Sequence, residues 1–146
     1  MAVKREEILI AVVDGQGGGV GKSLVEKLKK TCPGVRVRAL GTNAEATGRM
    51  LRAGADDGAT GENAVMVNVS RAQIVLGVVG VLASGGLLGE ITPAMARAIG
   101  ESDALKILVP TERCRIRVTL SGGSLSAHLD DAAERAAAEV ERLTAD

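Results

Sequence analysis

The stretch that most limits the fold is Ile8 to Lys30. Ile8 to Val13 (ILIAVV) is apolar at every position. So short a run without alternation reads as a strand covered on both faces, as in a parallel sheet. Asp14 to Gly21 (DGQGGGVG) follows as a glycine loop. From Lys22 to Lys30, Leu24, Val25 and Leu28 then fall on one helical face, with Lys and Glu opposite. Pro33-Gly34 stops that helix. Strand, glycine loop and helix in this order begin a layered α/β arrangement.

The rest of the chain continues the alternation. Val35 to Leu40 alternates apolar with Arg36 and Arg38, so it is expected as a strand with one wetter face, nearer the sheet edge. Gly41 to Asn43 is a turn, and Ala44 to Ala53 is a helix ended by Gly54. Asp56 to Asn63 (DDGATGEN) reads as a second glycine-bearing loop and Ala64 to Val69 as a short strand. Ile74 to Leu82 is apolar on both faces, as a central strand would be. Thr92-Pro93 supplies an N-cap and a first-turn proline for a helix to about Ile99. Leu105 to Val109 is another strand. Cys114 to Leu120 alternates (Ile116, Val118 and Leu120 against Arg115, Arg117 and Thr119) and reads as a half-exposed final strand, able to pair across a homodimer. A last helix runs from about Ala127 to Leu143. The expected fold is α/β: one domain over residues 1–146, a Rossmann-like three-layer sandwich with a mostly parallel sheet of about five to six strands.

Composition narrows the function classes. The 18 basic and 18 acidic residues balance, which argues against a nucleic-acid or anionic-membrane surface. Phe, Tyr and Trp are all absent. The core must therefore be aliphatic, no base can stack on an aromatic side chain, and no tyrosine can act as acid or base. Two cysteines and one histidine are too few for a structural zinc site, so no metal is expected. The charged start MAVKREEIL does not read as a signal peptide, and Ile74 to Leu88, broken by four glycines and a serine, falls short of a membrane span. A cytoplasmic protein with neither nucleic-acid nor membrane partners is the expectation.

The glycine loop is the site expected to bind. Its residues are Asp14, Gly15, Gln16, Gly17, Gly18, Gly19, Val20, Gly21 and Lys22. Glycines admit positive φ and let the backbone approach a ligand, while a helix N-terminus offers unpaired N–H groups and its positive dipole end. Together they favour a phosphate-bearing small molecule. The spacing Gly15-xxx-Gly19-x-Gly21 resembles the dinucleotide loop of short-chain dehydrogenases, which implies NAD or NADP. Gly19 to Ser23 (GVGKS) also resembles the end of a P-loop, which implies ATP or GTP; but Gln16 stands where that motif needs its first glycine, and Gly17 where a variant needs lysine. Dehydrogenase chemistry of that family needs a tyrosine this chain lacks. The acidic residue expected on a ribose is replaced by Gly41-Thr42-Asn43, so Thr42 or Asn43 would have to serve. Asp14 beside a phosphate would repel it, and capping the loop's own N–H groups is the role that suits it.

Read together, DGQGGGVGK, ALGTNAEAT, GATGENAV and GEITPAMA (14–22, 39–47, 58–65 and 89–96) resemble an uncharacterised family of small bacterial proteins, domain of unknown function 3842, over nearly the whole chain. That resemblance implies a stand-alone protein and no particular reaction.

Two further residues are candidates for chemistry. Glu90, before the Thr92-Pro93 helix start, suits a general base or a ribose ligand, or merely offsets the helix dipole. Cys114 lies between Arg113 and Arg115, whose guanidinium groups favour a thiolate; by alternation it would otherwise face the core with Ile116. Lys22 can pair with phosphate or stand solvated on a lysine-rich helix. Arg36 and Arg38 form a solvated face with a remote reach to a 2′-phosphate, and His128 reads as a surface residue. Glu62 and Asn63, placed ahead of a strand, fall on the far side of the sheet. Four functions compete: a nucleotide-binding protein, probed first with NAD and NADP; a P-loop-like ATP or GTP protein; an enzyme on a phosphorylated small molecule using Glu90 or Cys114; and an interaction module whose glycine loop is only a turn.

Overall fold

The structure, a computed structural model, describes residues 2–111, 113–119 and 122–145. Five strands lie in one sheet: β1 (Leu9–Asp14), β2 (Arg36–Gly41), β3 (Asp57–Thr60), β4 (Ile74–Val78) and β5 (Leu105–Val109). All neighbours pair in parallel, in the order β3-β2-β1-β4-β5. Parallel neighbours need crossovers, and five helices provide and extend them: α1 (Gly19–Thr31), α2 (Ala44–Arg52), α3 (Glu62–Val69), α4 (Pro93–Glu101) and α5 (Leu125–Thr144).

The core divides by strand parity. Ile10 and Val12 of β1, Val37 and Ala39 of β2, and Ile74 and Leu76 of β4 share one cluster with Leu24, Val25 and Leu28 of α1, Met50 of α2, and Leu129, Ala132, Ala136 and Val140 of α5. Ala11 and Val13, Leu40 and Val75 share the other with Val65 and Val69 of α3 and Met95, Ala96 and Ile99 of α4. Every residue of β1 and β4 is buried, as their unbroken apolar runs require. The result is a Rossmann-like α/β sandwich of three layers, with five strands where about five to six were expected from the alternation.

Several element readings change, including the strand expected over Ile74 to Leu82, which ends at Val78 and passes into a 3-10 helix at Val79–Leu82. The helix after the glycine loop starts at Gly19, not Lys22, so Gly19 and Gly21 belong to its first turn. The second glycine-bearing loop is in fact strand β3, and the expected strand at 64–69 is helix α3. Val65 and Val69, four apart, are its buried positions; the β-branched residues suggest a strand, and only the neighbours reveal the helical spacing. With β3 at the edge, β2 is an inner strand: its Arg36 and Arg38 both pair with Asp57 of β3. Finally, residues 116–119 form no strand, because Arg113–Arg115 is a tight 3-10 turn in which Cys114 and Arg115 take φ of 64° and 58°; Leu120 lies outside the described residues. The homodimer pairing argued from that strand therefore loses its basis. Among the described residues, no helix is long and apolar enough to cross a membrane, and no three His, Cys, Asp or Glu converge to hold a metal.

Candidate functional site

The carboxyl ends of β1 and β4 meet where the strand order reverses direction, since β1 is followed across the sheet by β2 on one side and β4 on the other. Crossovers leave such a point in opposite directions, so a crevice opens there. In this protein it is a hollow of about 290 Å3, lined by Asp14 to Val20, Val78, Gly80, Leu87, Thr111, Arg113, Cys114 and Leu125. A larger and more open groove of about 790 Å3 runs along β5 and α5, lined by residues such as Leu105, Ile107, Ala132 and Arg135. It lies along the β5 edge of the sheet, reaching Val79 and Pro110 just past β4 and β5, and no glycine-loop residue lines it.

Asp14 builds the loop from within. It is 6% exposed, and its carboxylate accepts N–H bonds from Gly15 (2.8 Å) and Gly21 (2.6 Å). The loop between these donors is thereby pinned at both ends. Burial pushes the Asp14 carboxyl above its ordinary value against those two bonds, with Glu90 adding to the rise and Arg113 opposing it. Gly18 carries the left-handed turn at φ 72°, its N–H donating to the Gly15 carbonyl. There a Cβ would stand 2.8 Å from the Ala46 backbone, so the glycine is required twice over. Gly21 instead is a packing glycine: a Cβ would meet Met50 Sδ at 2.6 Å.

Among the described residues, the backbone N–H groups of Gly17, Gly19 and Val20 have no protein partner. All three residues line the hollow, at the positive end of α1. Arg113 lines it too, bringing the guanidinium that a bidentate phosphate contact uses. That combination of donors suits an anion.

Glu90 sits on the β2 side of the same loop. Its carboxylate accepts from the Gln16 N–H (3.0 and 3.1 Å), the Thr42 hydroxyl (2.7 Å) and the Asn43 amide (2.7 Å). Partial burial opposes its ionisation, but the bonds from Thr42, Asn43 and Gln16 outweigh it and hold the carboxyl below its ordinary value. Asn43 also donates to the Gln16 carbonyl and caps α2 through Ala46 N–H. Arg49 donates to the Gly17 carbonyl at 2.8 Å, tying α2 to the loop once more.

The sequence candidates therefore separate. Asp14, Gly15, Gln16, Gly17, Gly18, Gly19 and Val20 line the hollow together with Cys114; Gly21, Lys22, Thr42, Asn43 and Glu90 do not. Lys22 is half-exposed and 3.9 Å from Glu26, one turn on along α1. Cys114 is exposed rather than core-facing, and its sulfur accepts the Leu87 N–H at 3.3 Å. Arg38 is held by Asp57 and Asn68, which leaves it no reach to a 2′-phosphate. Glu62 and Asn63 follow β3 instead of preceding a strand, so they lie at the same end of the sheet as the glycine loop. Arg113 and Thr111 line the hollow without having been singled out for it in the sequence; the signal was their position just after β5, whose end opens toward the hollow.

No curated protein matches the chain. The crystal structure of a "putative oxidoreductase" from Pseudomonas putida KT2440 superposes with a TM-score of 0.48 at 18% identity, over 89% of this chain and 39% of that one. This chain thus spans well under half of that protein's length. The glycine loop, Asn43, Glu90 and Arg113 all lie inside residues 9–141, the span matched by one family's model, and the chain belongs to that family, described as a domain of unknown function (DUF3842).

Proposed function

We propose that the protein binds a phosphate-bearing nucleotide at the glycine loop, foremost an NAD(P)-type dinucleotide. The observation that carries this reading is the set of three unpartnered N–H groups, at Gly17, Gly19 and Val20, bordering a hollow that also holds Arg113. Gly17 and Gly19 are exposed and Val20 is half-buried, so these N–H groups are open to a ligand, and an anion takes them best at a helix N-terminus. A hollow of about 290 Å3 suits a phosphate and one compact group. The remainder of a dinucleotide would lie along the open side of the loop, toward Gln16 and β2. Asp14 is a loop cap in this reading and touches no ligand, since both its oxygens are engaged by backbone.

The test is a thermal-shift series on protein stripped of carried-over ligand, with NAD, NADP, ATP, GTP, pyrophosphate and phosphate, each with and without magnesium. A ligand at a hundred times its Kd adds about 2.7 kcal/mol, several degrees for a chain of this size. NAD or NADP should raise the melting temperature, and Arg113→Ala should weaken the shift without altering the unliganded protein, because Arg113 is exposed. A shift confined to magnesium with ATP or GTP would transfer the site to the P-loop class. No shift with any phosphate compound removes the proposal.

A further inference from the structure

We propose that Glu90 reads hydroxyl groups of the bound ligand, so that the ligand of this site carries a sugar-like diol beside its phosphate. This rests on the phosphate reading above and sharpens it. The donors around Glu90 are spent unevenly between its two oxygens. Oε1 takes three of them: the Gln16 N–H, the Thr42 hydroxyl and the Asn43 amide. Oε2 has only the shared Gln16 N–H. A carboxylate offers about four lone-pair directions, so Oε2 retains accepting capacity while Oε1 is full. The side chain is thus locked in place by one oxygen and open at the other.

Thr42 and Asn43 are committed to that lock. The Asn43 amide gives its hydrogens to Glu90 and to the Gln16 carbonyl, while its oxygen takes the Ala46 N–H. Asn43 is left with no donor for a ligand, and it becomes a positioning residue. Reading a ribose at the end of β2, which the sequence assigns to Thr42 or Asn43, passes instead to a residue nearly fifty positions further along the chain.

Charge then sorts the ligand along the loop. Glu90 and Asp14 both lie near Gly15 and Gln16, and a phosphate there would meet two carboxylates. The anionic group belongs further along, at Gly17 to Val20 with Arg113. An ionised carboxylate beside an occupied phosphate site accepts from an uncharged donor without adding repulsion, and a vicinal diol supplies two such donors. The segment that carries Glu90 is shaped for this at some cost. Leu87, Leu88 and Gly89 take φ of 55°, 55° and 90°, a left-handed turn that L-residues resist, and such strain collects at functional sites.

The test is calorimetric titration of the full-length protein with three probes: inorganic pyrophosphate, ADP and 2′,3′-dideoxy-ADP. The wild type should bind ADP about tenfold or more tightly than the dideoxy compound, as loss of a charged hydrogen bond predicts. Glu90→Gln should shrink that preference to about twofold or less while keeping, or tightening, pyrophosphate binding, since it removes a negative charge. Equal binding of ADP and its dideoxy analogue by the wild type overturns the proposal without any variant. So does a preference that survives in Glu90→Gln. If pyrophosphate and ADP both fail to bind, the phosphate reading itself falls and this one with it, an outcome distinct from binding without discrimination.

Discussion

Asp14 and Glu90 flank one loop and titrate in opposite senses. Burial, the larger influence, lifts the Asp14 carboxyl above its ordinary 3.8 despite the Gly21 and Gly15 bonds. The folded state then holds that proton more firmly than the unfolded chain. Its contribution is complete below the ordinary carboxylate pKa and is lost as pH rises through the folded value. For Glu90, burial is outweighed by the Thr42, Asn43 and Gln16 bonds, and its folded pKa lies below 4.5. Its contribution is present above that value and disappears as pH falls through the depressed one. In urea melts from about pH 3 to pH 7, Glu90→Gln should flatten the acid limb of the stability profile, and Asp14→Asn should remove the decline above the carboxylate range. Asp14→Asn should also cost about 1–3 kcal/mol near neutrality, because an amide accepts from only one of the two N–H donors and confronts the other. Profiles displaced in the same direction by both variants would contradict this account. The capping role of Asp14 is legible in sequence because an Asx side chain bonds its near neighbours. The partners of Glu90 are not, since they depend on which loops converge beyond the strand ends.

Helix α1 and the turn before α4 separate glycines by purpose. Gly18→Ala meets both a φ of 72° and the Ala46 backbone at 2.8 Å, so it should destabilise by about 2 kcal/mol or more in chemical denaturation. Gly19→Ala, one residue on, has ordinary φ and only Arg49 at 3.8 Å; it should be neutral or gain up to about 1 kcal/mol in the helix. If the two substitutions cost the same, the loop conformation described above is wrong. Leu88→Gly probes the left-handed turn from the other side. Leu88 is 94% exposed at φ 55°, so losing its side chain removes strain and almost no packing. A gain of roughly 0.5–1 kcal/mol is expected after the entropy of glycine is subtracted; a loss would mean the leucine has a partner. At this scale the sequence is a good guide where the pattern is local: the all-apolar β1, the Thr92 cap bonding Met95 N–H, the Ser124-led α5. It misleads at 57–69. Asp-Gly-Ala-Thr has turn chemistry yet pairs with β2, and Val-rich α3 has strand chemistry yet lies on the sheet. In both, tertiary pairing overrides weak propensity. The clean alternation at 114–120 fails for a third reason: alternation shows that a strand would suit those residues, while Cys114 and Arg115 turn the chain away first.

Across the whole molecule the two cysteines report on different events. Cys32 ends α1 and is 1% exposed, within the layer shared by α1, α5 and the sheet, and burial pushes its thiol up against the Thr31 bond. Cys114 is exposed on the wall of the hollow. A thiol reagent at neutral pH should therefore modify one cysteine promptly and the other only when the chain opens. Cys32 touches residues from several elements, so its exposure should require global unfolding, and its labelling rate should respond to urea with the slope of equilibrium unfolding. A ligand that stabilises by about 2.7 kcal/mol at a hundred times its Kd should then slow Cys32 labelling about a hundredfold. This coupling acts at a distance and says nothing of where the ligand sits. Cys114 supplies the location: it should be protected by a ligand in the hollow and left reactive by one in the β5–α5 groove. Slowing at Cys32 without protection at Cys114 would move the binding site off the glycine loop, whereas urea-independent labelling of Cys32 would show that the end of α1 opens by itself and that the two layers do not unfold as one.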